Sequence, residues 1–411
     1  MSKTNTKVTL AVPTAIELFV GAGGLGMGVS LAGFKTLAVI ERDRYCCDTI
    51  RENTEASHPI VSQWPLEPGD VKVADFVRFE DKLDLVTGGP PCQPFSLGGK
   101  HKGSKDSRDL WPEAVRAVRE SRPKAFIFEN VKGLTREKFA TYFEYINLQL
   151  THPDIVRNEE GGETWMRHLA RLEQHHTSKR RDENLSYKVV FRILNAANYG
   201  VPQKRERVFF VGFRSDISAD WHFPESTHSV DALIWDQSRY GGYWDRHEVP
   251  KKQRIVSDRI RERAKQLEET KKSGLKPWRT IRDAIHDLPK PTVNGSNEYM
   301  NHRLQLGARS YLGHTGSPFD EPSKTLKAGV HGVPGGENTV IFPDGEFRYL
   351  TVRESARLQT FPDDFKFHGS WTETMRQLGN AVPVTLATAI ATSVREHLEL
   401  SSVGKIGGRA I

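Results

Sequence analysis

Residues 16–26 read Ile16-Glu17-Leu18-Phe19-Val20-Gly21-Ala22-Gly23-Gly24-Leu25-Gly26. The run 15–20 has the composition of a buried strand, a glycine-rich turn follows, and 27–32 continues as a helix. Gly21, Gly23 and Gly26 satisfy the G-x-G-x-x-G spacing, and Glu41 stands 20 residues after Gly21, behind a second apolar run at 37–40. Strand, glycine turn and helix in that order open a doubly wound α/β sheet. The turn brings backbone close to a ligand, and an acid at the end of the second strand can accept hydrogen bonds from ribose hydroxyls. The pattern predicts a nucleoside-containing cofactor without separating NAD from other adenosine derivatives. Asp70, in Gly69-Asp70-Val71, offers a further acid near a strand end, suited to an adenine amino group.

Working outward, strand-like runs recur at 83–86, 125–128, 187–193 and 208–213, with a helical stretch at 111–120. Such alternation predicts a mostly parallel sheet with helices on both faces, whose ligands sit at the carboxyl ends of the strands. Residues 151–185 are polar and read as an exposed insertion with one weak helical patch at 166–172. Adjacent His175 and His176 read as a solvated helix end, because neighbouring residues on a helix diverge. After Phe213 the pattern dissolves into Trp-, Tyr-, Gly- and Pro-rich sequence up to about residue 343. It returns at 351–359 and closes with a helix from Pro383 to Leu398, proline being favoured in a first turn.

The chain has 411 residues, enough for a large domain and a smaller one, and a formal net charge of +7. Between residues 251 and 282 twelve Lys/Arg face four Asp/Glu, a basic concentration suited to a polyanion. Three cysteines, Cys46, Cys47 and Cys92, exclude a disulfide framework, and the adjacent pair lacks metal-site spacing. No metal is expected. A polar N-terminus and the absence of an apolar run of about 18 residues predict a cytoplasmic protein that does not enter membranes.

Gly88-Gly89-Pro90-Pro91-Cys92-Gln93-Pro94-Phe95-Ser96 places a lone cysteine on a rigid turn behind a strand. An isolated cysteine is ordinarily a buried apolar residue. Here prolines fix its approach and exit, and a glycine-spaced basic loop at 96–110 follows, so Cys92 reads as a nucleophile whose thiolate needs nearby positive charge. Glu129, behind the apolar run 125–128, reads equally as a helix cap or as a partly desolvated acid with a raised pKa, suited to protonating a ring nitrogen. In Gln203-Lys204-Arg205-Glu206-Arg207, strand alternation sends Arg205 and Arg207 to one face together, which suits a surface charge ladder as well as a site.

These blocks, with Arg353-Glu354-Ser355-Ala356-Arg357-Leu358-Gln359 and Gly379-Asn380-Ala381-Val382, resemble the DNA cytosine-5 methyltransferases in content and order across 15–386. The resemblance implies S-adenosylmethionine as cofactor. Phe19 would pack on the adenine, Glu41 bind the ribose and Asp70 the adenine edge. Gly21, Gly23, Gly24, Pro91 and Asn380 would complete that site. It implies attack of Cys92 on C6 of a flipped cytosine, with Glu129 acting at N3 and Arg205 and Arg207 beside the ring. Residues 10–222 would form the catalytic domain, 223–347 the target-recognition domain, and 348–400 a segment returning to the first. Gln93, Ser96, Lys100, Arg108, Thr325 and Leu326 would meet double-stranded DNA, with Thr325 and its neighbours reaching base edges. The implied setting is a bacterial restriction–modification system, with a monomeric enzyme and a cognate restriction endonuclease acting on the same site. A tRNA cytosine methyltransferase would share the catalytic blocks but carries a shorter recognition region. A nicotinamide dehydrogenase leaves Cys92 and Glu129 without work. A silent DNA-binding relative should have lost one of them.

Overall fold

In the computed structural model the described residues are 11–91, 109–178, 184–217, 220–238, 241–254, 256, 258–268, 274–312, 315–328 and 338–407. Seven strands form the main sheet: β1 (Thr14–Leu18), β2 (Lys35–Glu41), β3 (Leu66–Pro68), β4 (Leu85–Gly88), β5 (Ala125–Val131), β6 (Tyr187–Asn195) and β7 (Glu206–Arg214). Their order is β3-β2-β1-β4-β5-β7-β6. The first five run parallel, whereas β7 is antiparallel to both β5 and β6. β3 was anticipated only as the strand end ahead of Asp70, because three residues ending in proline carry no readable period.

The inner strands are apolar almost throughout because helices cover both faces. In β5, Phe126 and Phe128 point into a core built with α3 (Trp111–Ser121), α4 (Ala140–Thr151) and α5 (Trp165–Thr177). Ala125 and Ile127 point the other way, towards α1 (Gly24–Leu31) and α12 (Val384–Gly407). α1 and α12 pack tightly at their starts: a Cβ on Gly24 would collide with the Val382 carbonyl oxygen. α2 (Arg44–Glu55) starts at an Asp43 cap and buries Ile50 in a third core.

The region 151–185 departs from the exposed insertion read in the sequence. Thr164 caps α5 by accepting the Arg167 amide, and Leu169 and Leu172 enter the main core. Tyr145 and His168 Nδ1 are hydrogen-bonded at 2.9 Å beneath them. The charged residues Arg167, Arg171 and Glu173 stay exposed. His175 and His176 lie in the last turn of α5, where His176 Nδ1 is 3.0 Å from His152 Nε2. Among the described residues no group of three His, Cys, Asp or Glu could hold a metal. None of the described helices is long and apolar enough to cross a membrane.

Beyond β7, short strands β8 (His228–Ser229) and β9 (Lys276–Pro277) pair, and α6 (Val230–Gln237), α7 (Tyr243–Arg246) and α8 (Asp258–Glu268) lie between them. Next come α9 (Ile281–Ile285) and a small sheet of β10 (Ser317–Pro318), β11 (Thr339–Ile341) and β12 (Phe347–Tyr349). α10 (Val352–Leu358) and α11 (Trp371–Asn380) lead back to α12. One apolar cluster joins Ile281, Phe319, Leu326 and Val340 to Val20, Met27 and Val39. The late part of the irregular region is therefore packed against the glycine-turn side of the sheet.

Candidate active site at the carboxyl edge of the sheet

The first turn is shaped by backbone conformation. Phe19 has φ +56°, a left-handed value uncommon for an aromatic residue, and Gly21 and Gly23 follow at +56° and +89°. The ring of Phe19 is half-buried against the main core. The Glu41 carboxylate braces the turn by accepting the Gly21 amide at 2.8 Å, and it accepts the amides of Arg42 at 2.9 Å and Asp43 at 2.7 Å. Three backbone donors fix its orientation while leaving lone pairs for hydroxyl groups.

Asp70 caps a single 3-10 turn and accepts the Lys72 amide at 3.0 Å. That backbone donor, and then Arg42 with Nη1 at 3.3 Å, hold its carboxyl below the usual range. By the resemblance Arg42 stands where an apolar neighbour of adenine is expected, and in the fold its guanidinium reaches Asp70. Asn380 ends α11 with an exposed side chain.

Pro90 and Pro91 leave the end of β4. Asn130 Nδ2 donates to the Pro90 carbonyl at 3.1 Å, tying that turn to β5. Cys92, Gln93, Ser96, Lys100 and Arg108 lie outside the described residues.

Glu129 is inside β5, opposite Phe209 of β7. Arg207, two residues before Phe209, is the diagonal neighbour on the same face. Its Nε reaches Glu129 Oε1 at 2.8 Å, and both side chains are nearly buried. Burial pushes the Glu129 carboxyl up, against the opposing pull of Arg207 and then Arg205. The result is a carboxyl more easily protonated than a solvated one.

Arg205 precedes β7 and does not share the Arg207 arrangement. Its fully buried guanidinium donates from Nη1 to the Leu326 carbonyl at 3.2 Å and from Nη2 to the Gly379 carbonyl at 2.7 Å. Burial lowers its pKa well below the ordinary value. Alternation failed here because Arg205 lies outside the ladder that enforces it. Thr325, partly exposed, donates its hydroxyl to the Lys204 carbonyl at 2.7 Å. Leu326 is 1 % exposed and sits in the third core, so its side chain faces protein, not a surface that DNA can reach.

The sequence reading overlooked Glu17, which is buried under the glycine turn with Oε2 lacking a partner. Burial drives its carboxyl well above the usual range. An acid inside the apolar strand Ile16-Glu17-Leu18 was the available signal. Gln203 was quoted only as part of a motif; its buried Oε1 accepts the Leu326 amide at 3.0 Å.

The collected side chains suit an adenosine cofactor. Braced Glu41 can accept from ribose hydroxyls and Asp70 from an amino group. Phe19 offers a ring, and Asn380 is free to face the far end from α11.

The profile of the C-5 cytosine-specific DNA methylase family matches residues 14–153 and 168–396. The chain is 34 % identical over 386 residues to the Type II methyltransferase M.PspPI of a Psychrobacter strain, covering 92 % of this chain and 78 % of that protein. It is 34 % identical over 402 residues to the Type II methyltransferase M.Eco47II of Escherichia coli, covering 96 % and 81 %. Among solved structures, the Dnmt2 methyltransferase of S. pombe superposes with a TM-score of 0.55 at 17 % identity, covering 94 % of this chain and 99 % of that one. At that identity the likeness concerns the fold.

Proposed function

Since the chain belongs to the C-5 cytosine-specific DNA methylase family, we propose how its own residues carry out that family's reaction. The protein is a DNA cytosine-5 methyltransferase that depends on S-adenosylmethionine. The Type II methyltransferases to which it is similar support sequence-specific methylation within a restriction–modification system.

The observation that carries the assignment is the nearly buried Glu129–Arg207 pair beside the Pro90–Asn130 tie, two residues before Cys92. The target cytosine must leave the helix stack, at a cost of a few kcal/mol. Cys92 Sγ, as thiolate, adds to C6. Glu129, its proton affinity raised by burial, donates to N3, so that electron density arrives at C5. Arg207 holds the carboxyl in place beside the ring. When bound, S-adenosylmethionine supplies an electrophilic sulfonium methyl group, which C5 receives. A base then takes the C5 proton, the C6–S bond breaks to release the Cys92 thiolate, and N3 returns its proton to Glu129, restoring the aromatic ring. General acid assistance of this kind contributes about 10²–10⁴-fold.

Phe19, Glu41 and Asp70 would hold the adenosine, with Gly21, Gly23, Gly24, Pro91 and Asn380 around the rest. Residues 223–347 would choose the target, with Thr325 near the bases and the basic stretch 251–282 on phosphates. Gln93, Ser96, Lys100 and Arg108 would approach the flipped nucleotide. The enzyme would act as a monomer, beside a restriction endonuclease of the same specificity.

Methyl transfer from labelled S-adenosylmethionine to DNA and to tRNA tests this, with Cys92→Ser in parallel and bisulfite sequencing of the product. Methylated cytosines in one short context, lost in the variant, are expected. Label in tRNA alone would make the substrate RNA. Label in DNA that persists in Cys92→Ser would remove Cys92 as nucleophile.

A further inference from the structure

Three chain segments from different parts of the sequence meet around one buried guanidinium. The first is 202–205, ahead of β7. The second is 323–328, in the region proposed for target choice. The third is the end of α11, next to Asn380.

The first two are stitched together like a short parallel bridge. The Ser323 amide donates to the Pro202 carbonyl at 3.0 Å and the Lys204 amide to the Ser323 carbonyl at 2.8 Å. Thr325 Oγ1 donates to the Lys204 carbonyl at 2.7 Å and the Leu326 amide to Gln203 Oε1 at 3.0 Å. The third segment is equally close: a Cβ on Gly379 would overlap the Ala328 amide and the Lys327 carbonyl carbon. Gln359 Nε2 holds the same helix end through the Leu378 carbonyl at 2.6 Å. Arg205 spans the junction, with one arm on Leu326 and the other on Gly379.

This junction is polar and buried. Among the described residues no carboxylate lies within ion-pair distance of Arg205, and Arg205 Nε, Ser323 Oγ and Gln359 Oε1 have no partner. A buried cation that meets a carboxylate, Glu129, only beyond contact distance is a poor way to gain stability, and apolar packing would serve better. What a guanidinium does supply is two directed donors in a fixed fork, holding two carbonyls in one relative position. One of those carbonyls precedes Lys327 and follows Thr325; the other precedes Asn380. Two residues along the chain from Arg205, Arg207 grips Glu129.

We propose that Arg205 is a positioning residue coupling target-DNA binding to cofactor binding. DNA that orders 323–328 fixes the Leu326 carbonyl, and through Arg205 the Gly379 carbonyl and the Asn380 end of the cofactor site. By linkage the cofactor strengthens DNA binding by the same factor. The inference rests on the assignment of DNA and cofactor sites given above.

The test measures S-adenosylhomocysteine binding by titration calorimetry with the full-length protein, in the absence and presence of a duplex carrying the methylated context found by sequencing. Wild type, Arg205→Met, Arg205→Lys and Val211→Ala are compared; Val211 is buried in the second core, away from the junction. DNA is expected to tighten wild-type binding by about tenfold, within the usual range of coupling between sites. Arg205→Met should reduce that ratio to nearly one and Arg205→Lys should restore part of it. Val211→Ala should lose stability while keeping the ratio. A wild-type ratio of one, full coupling in Arg205→Met, or coupling lost equally in Val211→Ala would each overturn the proposal. Failure of wild type to bind the cofactor product or DNA at all would instead overturn the assignment of function.

Discussion

Arg207→Met removes the cation from Glu129 and leaves an unbranched side chain in its place. In the wild type Arg207 Nε is 2.8 Å from Glu129 Oε1, and Glu129 is 7 % exposed. Without that cation, Glu129 must either stay charged in a site that disfavours charge or take up a proton on folding. The first choice costs roughly 3–5 kcal/mol. The second, for a glutamate with an unfolded pKa near 4.3, costs about 1.4 kcal/mol per pH unit, or about 3.7 kcal/mol at pH 7 and about 1 kcal/mol at pH 5. Protonation therefore sets the ceiling. Burial raises the carboxyl in the wild type, and Arg207 opposes that rise, so the variant must have the higher folded pKa. A raised carboxyl pKa means the folded state holds a proton that the unfolded state lacks. Its stability is fully present below the unfolded pKa and is lost as pH climbs through the folded one. The Arg207→Met penalty should thus be small at about pH 5 and grow towards that ceiling near neutrality. Urea unfolding of wild type, Arg207→Met, Glu129→Gln and the double variant at both pH values measures it. An Arg207→Met penalty equal at both, or one that keeps its pH slope when Glu129 is already Gln, would refute the reasoning.

Two further outcomes follow from the same physics. Glu17 is buried, with one carboxylate oxygen unpartnered and its pKa driven up by burial. Wild-type stability should therefore carry a falling component above about pH 4.3, so Glu17→Gln should gain stability at neutral pH and lose that gain below about pH 4 in urea titrations. An unchanged pH slope in the variant would mean that Glu17 does not titrate as the fold implies. Leu172 on α5 is fully buried in the main core, so Leu172→Ala should cost about 2–5 kcal/mol. A change within about 0.5 kcal/mol, the size typical of a surface site, would return 151–185 to the status of a solvated insertion.

The sheet was legible because its signal is physical and local. A parallel strand covered on both faces must be apolar throughout, and 125–128 or 208–213 have no other way to be buried. The glycine turn was legible because left-handed conformations at Gly21 and Gly23 select that residue. The burial of α5 was not, although a helical patch was read at 166–172, because its few apolar residues are scattered among histidines, arginines and glutamates. Only the presence of α4 beside it makes Leu169 and Leu172 core residues. Arg42 posed the same problem in reverse. Its departure from an apolar neighbour of adenine has a counterpart in space, Asp70, which lies 28 residues away in sequence.

Arg205 and Arg207 show where periodicity stops being evidence. Two arginines one residue apart share a face only if both belong to a strand whose ladder fixes their alternation. Arg207 does, opposite Val131, and that register delivers it to Glu129. Arg205 leaves the ladder just before Glu206, where the chain turns to pair with 323–326. From there its side chain is directed by the carbonyls it can reach and not by the pleat. Arginines two positions apart thus serve different ends: one grips an acid in the site, and the other holds together the segments that frame it. The sequence supplied both residues, and the end of the strand divided their work.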